Sequence, residues 1–271
     1  MTRSSITRVL PALLLAAAVL LAWEAYVRVA DVRPQVLPAP SRVIEQGWAF
    51  RALIWSHVVP TLGETAVGFS LAIVTGTAAA VAIDFSSAVR RALYPALVAS
   101  QAIPIVAVAP LLVLWFGFGI VPKALVVALV TFFPITVGWV DGFAATERAA
   151  SNLLRSMGAS RWQVFRMVRV PGALPSFFSG LRIAITYAVV GAIFAEYVGA
   201  KRGLGIFMQL QQNAFRTDLV MAAVVVTAAI SVSLFLATYA VERAAIPWHA
   251  AARNARSART GRAETPAGSR R

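Results

Sequence analysis

Residues 147–175, ERAASNLLRSMGASRWQVFRMVRVPGALP, form a basic, polar island between two long apolar blocks. Local rules predict its fold. Thr146 stands where an N-cap would open a helix carrying Leu153, Leu154 and Met157 at helical spacing, and Gly158 stands where a left-handed residue would close it. Ser160 followed by Gln163 is a capping-box signature for a second helix with Trp162, Phe165 and Val168 on one side, until Pro171 stops it. Two short helices about a turn, set between hydrophobic stretches, make a compact docking unit.

The flanking blocks decide the class of fold. The chain is 59% hydrophobic and only 13% charged, with a mean hydropathy of +0.74, which places it in lipid rather than among soluble domains. Charge-free stretches run over 9–23, 65–83, 92–122, 124–140, 183–195 and 219–241. A spanning helix needs about 20 mostly apolar residues, so the shorter stretches extend past a flanking charge. The expectation is an all-α integral membrane protein with about six transmembrane helices, near 8–30, 62–83, 95–116, 121–141, 179–199 and 219–241. The stretch 92–122 is longer than one span and contains Pro104 and Pro110.

Positive charge orients these spans. With the N-terminus inside, the cytoplasmic segments hold 17 of the 25 Lys and Arg residues, leaving 8 outside. Both termini and the 147–175 loop are then cytoplasmic.

This orientation divides the chain into segments. Residues 1–30 hold the cytoplasmic N-terminus and first span, which has a signal-peptide look but is expected to remain. Residues 31–61 form an external loop in which Pro34, Pro38 and Pro40 forbid a continuous helix. Ser41 there caps a short amphipathic helix with Val43, Ile44, Trp48 and Leu53 towards the membrane. Thr61 and Glu64 read as a second capping box at the entrance to span two. Residues 62–246 form a core of five spans, and 247–271 a basic, disordered cytoplasmic tail. The net charge of +14 raises nucleic acid as a partner, but the cations are scattered over loops and tail without aromatic interleaving, so none is expected. The tail instead suits the anionic face of the lipid bilayer.

Catalytic machinery is missing from the sequence. No G-x-x-x-x-G-K-[ST] cradles ATP phosphates, cysteine is absent, and His57 and His249 read as lying in loops on opposite sides of the membrane. A membrane enzyme would show clustered ligands or nucleophiles; metal and catalytic residues are expected to be none.

The island resembles the cytoplasmic loop of permease subunits of ABC importers, whose pattern is E-A-A, three residues, G, nine residues, I-x-L-P. Gly158, Val168, Val170 and Pro171 fall at the family's positions, while its E-A-A triplet lands on Asn152, Leu153 and Leu154. The runs QAIPIVAVAPLLVLWFGFG, FFPITVGW and GLRIA…AEYVGAKRGLG are similar to permeases of the nitrate, sulfonate and taurine group, which includes importers of thiamine-pyrimidine precursors and riboflavin. This resemblance implies a type I importer-like permease fold in the bacterial inner membrane. It implies two copies of the chain, two cytoplasmic ABC ATPase subunits and an extracytoplasmic solute-binding protein. No cofactor is bound by the chain itself; ATP and Mg belong to the partner ATPase. The ATPase-coupling contact is expected at Arg155, Ser156, Met157, Gly158, Ala159, Ser160 and Arg161, with Pro171 closing the motif.

Gln101, Pro104 and Glu196 are the candidates for the translocation pathway, because intramembrane polar groups are costly to bury. Aromatics such as Trp115, Phe132, Phe133 and Trp139 lean towards an organic or heterocyclic solute, and the expected cargo is a sulfonate-, taurine- or nitrate-type anion or a vitamin precursor such as a pyrimidine. The alternative for Glu196 is a structural or gating group paired with Lys201 or Arg202. An exporter permease is the alternative in transport direction, against which the Gly-to-Pro spacing of the loop argues.

Overall fold

The computed structural model describes residues 3–248. All of its regular structure is helical: α1 (Arg3–Val29), α2 (Pro40–Ala49), α3 (Arg51–Phe85), α4 (Ser87–Ser100), α5 (Ile105–Phe116), α6 (Ile120–Ala145), α7 (Arg148–Ser156), α8 (Arg161–Val164), a π-turn (Phe165–Arg169), α9 (Val170–Tyr197), α10 (Leu204–Asn213) and α11 (Thr217–Ala245). Five helical stretches are long and apolar enough to cross a membrane, and the bent pair α4 and α5 brings the total to six. Five of the six expected spans are therefore present with shifted boundaries, and the expected span 95–116 falls on the bent pair.

Small residues set the packing. Along α3, Gly68, Ala72, Gly76 and Ala80 recur every four residues on one buried stripe, which lets α6 approach. A Cβ on Gly76 would stand 3.1 Å from Ile135 Cγ2. Between α6 and α9 the approach is closer, since a Cβ on Gly142 would lie 2.8 Å from the Cα of Ala173. Helices α3, α6 and α9 are thereby locked into one unit, with Trp139 stacked on Phe143 and Phe177 at its centre. Phe132 and Phe133 pack against that same core. Three of the four aromatics expected along a pathway are thus core residues, drawn inward by the glycine-lined approach. Helix α1 stays exposed over most of its length and is tied in through Glu24, which accepts from the Ser41 hydroxyl (2.7 Å) and amide (3.0 Å).

Several expectations need correction. Helix α2 opens at Pro40 with Ala39 as its N-cap, since proline lacks the donor that a first turn leaves free; Ser41 serves Glu24 instead. Val43, expected towards the membrane with Ile44 and Trp48, is instead buried against α10 and α11, and Leu53 falls in α3 after a break at Phe50, while Ile44 and Trp48 are on the exposed side. Span two starts at Arg51, eleven residues before the expected 62, so Thr61 and Glu64 lie inside it and cap nothing. His57 likewise sits in α3, not in a loop. The tail from 249 onward, including His249, lies outside the described residues.

Candidate functional site

The loop end of the bundle is built by local rules. Helix α7 starts after Glu147; Thr146 does not cap it, because its hydroxyl donates back to the Gly142 carbonyl (3.0 Å). Gly158 adopts φ +84 and the Ala159 amide reaches the Leu154 carbonyl at 3.0 Å, the left-handed closure expected there. The Ser160 capping box is complete: its Oγ accepts from the Gln163 amide (3.3 Å) and its amide donates to Gln163 Oε1 (2.7 Å). Pro171, expected to stop the second helix, does not. The π-turn precedes it, Pro171 occupies the first turn of α9 where its missing N–H is harmless, and helix runs unbroken over Arg161–Tyr197.

Polar and apolar residues of this unit are both exposed, and they point in different directions. Arg148, Ser151, Asn152 and Arg155 of α7 line a cavity against the protein, while Leu153 (63% exposed) and Met157 (74%) point outward. Trp162 and Met167 are also exposed. An amphipathic helix with its apolar side out has an unfilled contact. The unit is bolted to the end of α3: Arg169 pairs with Asp84 at 2.7 Å, and Arg161 donates to the Phe85 carbonyl at 2.7 Å while lying over the Phe85 ring. Neither tie to α3 was foreseen, although Asp84 ends the apolar run 65–83 and so marks itself as a lone charge in need of a partner.

Across the bundle, α4 and α5 meet at a 102° bend over residues 101–104. Pro104 causes it, since it cannot donate and it biases Ile103 away from helix. The bend opens a cavity of about 560 Å³ holding Gln101, Trp115, Tyr187 and Phe194 among aliphatic side chains, with no charged residue in its wall. Of the three pathway candidates Gln101 lines it, Pro104 shapes it, and Glu196 does not reach it. Tyr187 and Phe194 were missed because aromatics on an apolar helix carry no directional signal in sequence.

Glu196 is fully buried at the end away from the loop. Its Oε1 accepts from the Thr61 hydroxyl (2.6 Å) and its Oε2 from the Gly205 amide (2.5 Å). Thr61 Oγ1 also accepts from the Leu204 amide (2.9 Å), and His57 Nδ1 lies 2.9 Å from the Gly203 carbonyl oxygen. Gly203 has φ +141 and its hypothetical Cβ would overlap the Glu196 carboxylate, so only glycine fits. Lys201 and Arg202 are exposed and form no ion pair with Glu196. Lys123 instead pairs with buried Glu64 at 2.5 Å. Among the described residues there is no cluster of three or more potential metal ligands.

A bundle with a broken span, a loop unit that turns its apolar side outward and a half-open cavity is the architecture of a transport subunit. The chain belongs to the family described as binding-protein-dependent transport system inner membrane component, whose profile matches residues 72–247. It is 38% identical over 227 residues to the formylaminopyrimidine transport permease protein ThiX of Halalkalibacterium halodurans, covering 83% of this chain and 90% of that one. The riboflavin transport system permease protein RibX of Chloroflexus aurantiacus is 35% identical (84% and 86% covered), and the taurine transport system permease protein TauC of Escherichia coli 32% (86% and 87%). Among solved structures, the inward-facing MetNI methionine ABC transporter superposes with a TM-score of 0.58 at 19% identity, over 73% of this chain and 96% of that one. The fold is that of importer permeases, and the protein is the permease component of an ABC importer.

Proposed function

We propose that this permease carries a small organic heterocycle of the vitamin-precursor kind, as one of two copies forming the pathway. A separate pair of ATPases drives it from the cytoplasmic side and an external binding protein loads it. The observation that carries this reading is the unbroken helix Arg161–Tyr197, which begins in the loop unit and ends in the wall of the cavity at the bend. Seating the outward apolar side of α7 in an ATPase groove lets ATP-driven closure displace the loop. The capping box, π-turn and α9 then carry that displacement to Tyr187 and Phe194, and the Asp84–Arg169 pair carries it to α3. Arg155 to Arg161 form the contact, and Gly158 provides the turn. Both termini face the cytoplasm in this arrangement.

The solute class is read from the cavity. Rings stack on Trp115, Tyr187 and Phe194, and Gln101 offers both a donor and an acceptor to a ring amide, whereas no cation lines the wall to clamp a sulfonate or nitrate. Relatives named for a formylaminopyrimidine and for riboflavin are more similar in sequence than the one named for taurine. Uptake into proteoliposomes containing the permease, its ATPase and its binding protein tests this directly. ATP-dependent accumulation of a labelled aminopyrimidine or riboflavin, weakened by Gln101→Ala, is expected; accumulation of taurine alone reverses the assignment of solute.

A further inference from the structure

A second cavity, of about 370 Å³, opens at the loop end between the polar face of α7, the last residues of α6 and helix α4. Arg90 of α4, Arg148 and Arg155 of α7 and Arg169 of the π-turn converge on it, with Ser151 and Asn152 as neutral hydrogen-bonding companions. Among the described residues Asp84 is the only carboxylate paired with any of the four, and it pairs with Arg169. Arg90, Arg148 and Arg155 stand in no ion pair among those same residues. Arg148 also lies in the first turn of α7, where the helix dipole disfavours a cation. Like charges gathered with a single carboxylate partner call for an anion, and guanidinium forks match phosphate oxygens in pairs.

Position selects the source of that anion. Phe143, Ala144 and Thr146 in its wall lie just beyond the charge-free stretch 124–140 of α6, on the side where that apolar run gives way to charge. Leu153 and Met157 point the other way, so a protein seated on that side leaves Arg90 and Arg148 open. We propose that this cavity is a binding site for the phosphate of an anionic phospholipid, which fixes the polar face of α7 to the membrane surface while its apolar face stays free for a partner. Basic pockets between spans at the inner face are suited to such headgroups. The site stands apart from the solute cavity and does not depend on which solute is carried.

The test uses the full chain purified in mild detergent and exchanged into bilayer discs of phosphatidylcholine with phosphatidylglycerol, with retained lipid counted by native mass spectrometry. The double variant Arg90→Gln/Arg148→Gln should bind phosphatidylglycerol about 25-fold more weakly, roughly fivefold for each arginine. A charge-matched control, Arg33→Gln/Arg91→Gln, removes two exposed cations outside the cavity and should retain the lipid. Circular dichroism of both variants separates loss of the site from loss of the fold, and Arg148→Gln alone, at an exposed first-turn position, supplies the fivefold step if the double variant unfolds. Raised salt should weaken retention in the wild type. Equal retention by wild type and double variant overturns the site. Binding of inorganic phosphate with no retained lipid overturns the lipid as its source, and loss of ATPase co-purification at unchanged lipid retention gives the arginines to a protein partner instead.

Discussion

The two ends of α9 solve the same problem in opposite ways. At the end away from the loop, charge is buried and met from within: both Glu196 oxygens accept hydrogen bonds, and Lys123 closes on Glu64. At the loop end, Leu153, Met157, Trp162 and Met167 lie exposed, and Arg90, Arg148 and Arg155 line a cavity without an ion pair of their own among the described residues. One end pairs its buried charges across helices of a single chain; the other leaves most of its arginines without a close carboxylate.

The largest expected effect breaks the closed end. Lys123→Met strands the Glu64 carboxylate and should cost about 3–5 kcal/mol, read as a lower thermal midpoint and reduced membrane abundance. Adding Glu64→Leu removes the stranded charge and should restore most of the loss. A double variant no better than the single one would mean that the pair does more than satisfy itself.

Glu196→Gln is a smaller perturbation of the same end. The amide nitrogen must meet either the Gly205 N–H, a donor, or the Thr61 hydroxyl, which accepts only by turning its hydrogen to the His57 carbonyl (3.1 Å), so a loss of about 1–3 kcal/mol is expected. Uptake measured per inserted molecule should change little. If uptake collapses at full abundance, Glu196 belongs to the pathway and the contrast between the two ends fails.

At the open end Gly158→Val should perturb the bundle least. Nothing lies within 4 Å of a Cβ there, so the cost is the backbone at φ +84 alone, about 1–3 kcal/mol confined to the turn between α7 and α8. Insertion should be near normal while ATPase co-purification and uptake fall. Gly158→Asn, which tolerates the left-handed region, should lie between the two.

How much the sequence disclosed depends on how local the physics is. Ser160 with Gln163 and Thr61 with Glu64 show the same spacing of hydroxyl and long polar side chain. The first pair comes after a left-handed glycine that has ended one helix, so a new helix must start and the capping box forms. The second pair lies inside a helix that began ten residues earlier at Arg51 and tolerates Pro60, and each member is claimed by a distant partner, Glu196 and Lys123. Pattern alone cannot separate them; only the contacts across the bundle do. Spans were legible because charge is so costly in lipid, and Gly158 because few residues accept its φ. Glu196 was legible as a buried polar group, whereas its partners were not, since Thr61 lies 135 residues away and the nearby Lys201 and Arg202 offered a more obvious pairing.

The central claim is that the outward apolar side of α7 is where a cytoplasmic ATPase seats. The chain contains no cysteine, so Met157→Cys and Lys201→Cys each introduce a single thiol, one in the loop unit and one beyond the far end of α9. Oxidative cross-linking in membranes with a cysteine placed in the groove of the partner ATPase, then labelling with a membrane-impermeant maleimide from outside, reads both ends at once. The account predicts that Met157→Cys cross-links to the ATPase and resists the external label, while Lys201→Cys takes up the label and never cross-links. External labelling of Met157→Cys together with cross-linking of Lys201→Cys would contradict it.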